Sequence, residues 1–170
     1  MVEVRDGTWE VGDAGSVTFV ADGQAIRLVS VNPRQGWTPS VVREALDRLE
    51  VDFRRGREVR ELEVRYRHGL LRVEVESEDE AAQPGRFTVG DAGEVEIAVD
   101  DGQLRLVEVA TSPRWAMQVL QETAGMVEVR FRQDAAGWDF KADLTQRGRL
   151  EIAMELRLEA PYPVRAPTGA

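Results

Sequence analysis

Apolar residues alternate with polar ones along most of the chain. Val17 and Phe19; Leu49, Val51 and Phe53; Leu62, Val64 and Tyr66; and Leu71, Val73 and Val75 each recur at every second position. So do Val95, Ile97 and Val99; Val127, Val129 and Phe131; Phe140, Ala142 and Leu144; and Leu150, Ile152, Met154, Leu156 and Leu158. A period of two over several residues predicts β-strands with one buried face. The positions between them are largely charged, as at Glu61, Glu63, Arg65 and Arg67. The second face is therefore wet, as in an antiparallel sheet covered on one side.

Hairpin turns are expected where Asp22-Gly23, His68-Gly69, Asp101-Gly102 and Arg147-Gly148 separate the alternating runs. Two readings compete for residues 39–49, PSVVREALDRL. One is a short amphipathic helix. The other is a hairpin turning near Glu44–Asp47, with a counterpart turning near Glu122–Gly125. Trp37, Pro39 and Val41, and again Trp115, Met117 and Val119, have strand spacing, which favours the hairpin.

The pattern also repeats. Gly7–Asp22 reads GTWEVGDAGSVTFVAD and Gly85–Asp100 reads GRFTVGDAGEVEIAVD, both around VGDAG. The offset that aligns Gly7 with Gly85 stays constant. It persists through Arg27-Leu28-Val29 and Arg105-Leu106-Val107, through Trp37 and Trp115, and through Val51 and Val129. Between positions 7 and 67, many residues are identical to their counterparts at this one offset, and no gap is needed. This is the signature of an internal repeat.

The fold expected is all-β: two tandem copies of an antiparallel, sandwich-like module of about 75 residues. The first copy is placed at 1–78, a linker at 79–84, the second copy at 85–160 and a flexible proline-rich tail at 161–170. A β-module of that size without disulfides has little core of its own. Contact between the copies is therefore expected, with one pseudo-twofold sandwich or a closed barrel as alternatives to separate modules.

Composition narrows the chemistry. The 170 residues include no cysteine and one histidine, His68, so thiolate and multi-histidine metal sites are excluded within one chain. Twenty-two basic and 31 acidic residues give a net charge of −9. Nucleic acid is thus a disfavoured partner, because binding it relies on neutralising phosphates. No apolar run approaches the roughly 20 residues of a membrane helix, and no membrane insertion is expected. His68 reads as a turn residue. Asp13 and Asp91 of the two VGDAG segments read as turn residues too, since a strand follows where a phosphate loop requires Lys-Ser/Thr and a helix. No cofactor and no metal is expected. The abundance of carboxylates makes any acid pair chosen from sequence uninformative.

The pattern of Asp13-Ala14-Gly15, Asp22-Gly23, Arg27–Val31, Gly36-Trp37, Leu49–Arg54 and Leu71–Val75, repeated in the second copy, resembles small β-rich domains of unassigned function in actinobacterial proteins. The resemblance implies the β fold and brings no catalytic residue with it. In those proteins the domain often follows a secretion or lipoprotein signal. The opening MVEVRDGTWEV is charged, without an apolar signal core or lipobox cysteine. A cytoplasmic location is expected for the chain as given, and an extracellular one if it is a mature fragment.

The functional reading is a non-catalytic interaction module, its partner another protein or a second copy of the chain. The second reading is a small-molecule-binding β-barrel, of the kind found in natural-product cyclases that act by shape and desolvation. Trp138, Phe140, Met117, Met126 and Met154 are the candidates to line its cavity for a small apolar ligand. Trp138 stands out because its counterpart in the first copy is Arg60, not an aromatic. A third reading is a structural component of a larger assembly.

Overall fold

The computed structural model describes residues 7–22 and 25–161. Among them the chain is all strand and turn: β1 Gly7–Val11, β2 Gly15–Ala21, β3 Ile26–Pro33, β4 Thr38–Ala45, β5 Arg48–Arg55, β6 Glu58–Arg67, β7 Leu70–Ala82, β8 Gly85–Val89, β9 Gly93–Asp100, β10 Gln103–Thr111, β11 Ala116–Glu122, β12 Met126–Gln133, β13 Ala136–Leu144 and β14 Leu150–Pro161. The strands lie in three antiparallel sheets, ordered β1-β2-β3, β10-β9-β8 and β11-β12-β13-β14-β7-β6-β5-β4.

Two compact units result, the first comprising Met1–Val75 and Arg157–Ala170, the second Glu76–Leu156. In the first, β1–β3 form one sheet and β4, β5, β6 and the start of β7 follow one another in a second. Val17 and Phe19 of β2, Leu49, Val51 and Phe53 of β5, Leu62 and Val64 of β6, and Leu71 and Val73 of β7 are fully buried. In the second unit, Val95 and Ile97 of β9 share one core with Val127, Val129 and Phe131 of β12, Phe140 of β13 and Ile152 of β14. The alternating apolar positions thus face inward, and most of the residues between them face water, Asp52 and Glu63 being buried.

Residues 39–49 form a hairpin. β4 and β5 are joined by a turn at Leu46-Asp47, and the corresponding β11–β12 turn spans 123–125. His68-Gly69 and Asp101-Gly102 are two-residue turns with both residues at positive φ (53° and 77°; 51° and 74°). That is the conformation whose twist suits a tight hairpin. Gly23 of the expected Asp22-Gly23 turn lies outside the described residues, as do residues 1–6 and all of the expected tail beyond Pro161.

Two expectations are corrected. Residues 79–84 are not a linker: β7 continues through Ala82, which is buried, and only Gln83 and Pro84 precede β8. The acidic run reads as a spacer by composition, yet it is a paired strand whose outward positions tolerate charge. The closed barrel is also absent among the described residues. Every sheet ends in edge strands: β1 and β3, β8 and β10, β4 and β11. Pro39 removes a backbone donor from β4, and bulges interrupt β3, β4, β10 and β11. Such features close an edge to further pairing.

The VGDAG segments are corners. Ala14 N–H donates to Val11 O (3.0 Å), and Arg34 N–H donates to Ala14 O (2.8 Å). The later segment repeats both bonds, from Ala92 to Val89 (3.0 Å) and from Ser112 to Ala92 (2.8 Å). Gly15 (φ +153°) and Gly93 (φ +155°) are obligatory, since a Cβ would run into the backbone of Asn32 or of Ala110. A third position contrasts with them. Gly36 takes φ +87°, whereas its counterpart, Arg114, holds φ +76° with a side chain.

These conformations predict opposite effects in thermal unfolding. Gly93→Ala, which cannot be relieved without moving β10, is expected to cost more than about 2 kcal/mol, the strain of a forced backbone shift. Arg114→Gly is expected to stabilise by about 0.5–1 kcal/mol, removing a left-handed non-glycine residue.

Candidate functional site

All five residues expected to line a cavity belong to the second unit. Phe140 is fully buried in β13, its ring 5.8 Å from that of Phe87. Trp138 lies two positions earlier on the same face and packs against that core, as does Met154 of β14. The Trp138 ring occupies the space a side chain at position 90 would need, so Gly90 makes room for it. Its Nε1 is buried without a hydrogen-bond partner. Met117 is 40% exposed on edge strand β11, and Met126 is half-buried at the start of β12, opposite Asp143. The structure therefore brings three of the five into one packed core and leaves two outside it. Three depressions of roughly 180–250 Å³ are lined by other residues.

The first unit fills the same region with charge. Arg60 replaces tryptophan there, and its guanidinium lies 5.2 Å from the Trp37 ring centre, with that of Arg55 at 4.4 Å. Both arginines reach Asp13, each at 3.1 Å, which ties the first VGDAG corner to the β5–β6 hairpin. The hydrogen bond to Glu58, followed by the charges of Glu58 and Asp13, raises the pKa of Arg55 above the ordinary arginine value. Trp37 is only 5% exposed and its Nε1 is also unpartnered. His68 occupies its predicted turn, beside a depression of about 180 Å³ shared with Arg65, Arg67, Arg72 and Glu159.

The feature that the pattern analysis missed is at the edges. β3 and β4 each carry an extra residue relative to their neighbour, Val29 and Val42; β10 and β11 carry Val107 and Leu120. All four side chains are exposed, Val29 at 60% and Val42 at 53%. Leu46, in the β4–β5 turn, is exposed as well, and so are Val41, Met117 and Val119. Every residue of β11 is exposed, and that strand contains no basic residue. Apolar side chains are thus exposed in adjoining pairs on a protein that is 31% charged. A signal for the bulges was present. At Leu28-Val29, Val41-Val42, Leu106-Val107 and Val119-Leu120, two apolar residues adjoin and break the alternation.

No family model, curated protein or solved structure matches the chain.

Truncation separates core from surface among the five candidates. Phe140→Ala is expected to cost about 3–5 kcal/mol in chemical denaturation, and Met117→Ala less than about 1 kcal/mol. An equally small loss for both would indicate that Phe140 faces a cavity able to collapse or admit ligand.

Proposed function

We propose that the chain is a duplicated β-sandwich domain acting as a non-catalytic interaction module, and that it docks a protein partner or a second copy through its exposed apolar edges. The observation that carries this reading is the recurrence of the same edge chemistry. Val29 and Val42 stand exposed at bulges in one unit, and Val107 and Leu120 stand exposed at the matching bulges in the other. The duplication draws support from the shared register: Gly7 pairs with Phe19 and Gly85 with Ile97, and Val41 pairs with Val51 and Val119 with Val129. The bulges disfavour uninterrupted strand addition. The partner's contribution is therefore apolar side-chain contact, with the acidic surroundings favouring a basic rim.

Native mass spectrometry of the protein purified from its own host tests the proposal. The expected result is a defined complex, with one partner or with further copies. Val42→Lys combined with Leu120→Lys is expected to dissociate it without lowering Tm, because both side chains are exposed. A bare monomer carrying a reproducible extra mass of a few hundred daltons would move the reading to a small-molecule binder.

A further inference from the structure

The β6–β7 hairpin gathers positive charge at its turn. Arg65 and Arg67 lie two apart on β6 and share a face. His68 follows in the turn at φ 53°, and Arg72 lies on β7. Together with Leu70 and Glu159 these residues line one depression of about 180 Å³. Three arginines against one glutamate make it a cationic hollow on a chain whose net charge is −9.

Only part of that charge is engaged. Arg65 donates to Glu63, and Arg72 pairs with Glu74 at 2.5 Å. Each contact uses part of a guanidinium that has five N–H donors. Among the described residues, the side chains of Arg67 and His68 have no hydrogen-bond or ion-pair partner, and both are exposed. Glu159 forms no ion pair among the described residues either, although it lines the same hollow. The repulsion among the three guanidiniums is therefore incompletely compensated, and an anion seated between them would relieve it.

The corresponding hairpin of the second unit has the opposite sign. By sequence, the counterparts of Arg65, Arg67 and Arg72 are Asp143, Thr145 and Glu151. Asp143 and Glu151 line a depression of about 250 Å³ in which carboxylates outnumber the one lysine, Lys141. The hairpin thus forms with carboxylates at two of the three positions. Folding alone does not require the arginines, and the positive hollow belongs to the first unit specifically.

We propose that Arg65, Arg67, Arg72 and His68 bind a phosphate group, either free or as the monoester of a small organic molecule. Guanidinium forks match the paired oxygens of a phosphate, and the imidazole of His68 adds an N–H donor. Leu70, 38% exposed in the same hollow, offers apolar contact to the organic part of an ester. Glu159 opposes the ligand and the lining is open to water, so binding is weak and salt-sensitive, on the order of 1 mM. A long polyanion is disfavoured, because beyond the hollow it would meet a chain of net charge −9. The site is independent of the apolar edges, and its existence does not depend on what they dock.

His68 is the only histidine in the chain, so its imidazole Hε1 signal in proton NMR reports on the site without further assignment. The full chain is titrated at constant pH with sodium phosphate and with phenyl phosphate, against NaCl of matched ionic strength. The expected result is a saturable shift of the His68 signal by phosphate that NaCl does not reproduce. Arg67→Gln removes an exposed, unpaired side chain; it is expected to keep the wild-type Tm and to weaken binding severalfold. Arg105→Gln makes the same change of charge on β10 of the second unit and is expected to bind as wild type does. Tighter saturation by phenyl phosphate supports an organic monoester as the ligand, and equal saturation supports free phosphate. A drift that NaCl reproduces, an undiminished response in Arg67→Gln, or an equal loss in Arg105→Gln would overturn the proposal.

Discussion

Cross-strand register is the constraint on which everything else in this protein depends. β5 and β6 pair so that Val51 meets Leu62 and Leu49 meets Val64, and these side chains form the fully buried face. A slip of one residue would turn them outward and drive Glu50, Asp52, Glu61 and Glu63 into the core, because side chains alternate with a period of two. Burying even one unpaired carboxylate costs more than most strand pairings contribute. The core and the charged outer face thus specify one another.

In the β10-β9-β8 sheet the register is pinned at both ends: the tight turn Asp101-Gly102 sets it at one, and the VGDAG corner at the other, through a backbone approach so close that Gly93 admits no side chain. Gly15 plays the same part at the corner of the β1-β2-β3 sheet. The bulges at Val29, Val42, Val107 and Leu120 shift the register at defined places and turn an apolar residue outward. One device therefore limits edge pairing and creates the exposed apolar surface.

With the inner faces constrained in this way, chemistry is free to differ on the outer faces and at the rims. Arg60 stacks over Trp37 in the first unit, whereas Trp138 packs over Gly90 in the second. Four carboxylates face one another on β5 and β6, whereas Glu128, Arg130, Asp139 and Lys141 pair as opposite charges on β12 and β13. Substitution at an outward position leaves packing untouched, so charge there can change without loss of the fold.

The strands were legible in the sequence because burial of one sheet face imposes a period of two. The turns were legible because positive φ favours glycine beside aspartate or histidine. The sequence also contained the correspondence that aligns Gly7 with Gly85, and the mark of each bulge in a pair of adjoining apolar residues. The end of β7 was hidden, since an acidic paired strand and an acidic spacer share a composition. So was the fate of Trp138, Phe140, Met117, Met126 and Met154, whose burial depends on which strands are covered and which lie at an edge. The four-carboxylate patch was invisible among 31 acids for the same reason. Local spacing states which face a residue takes, but only the pairing of β5 with β6 decides which carboxylate stands opposite which.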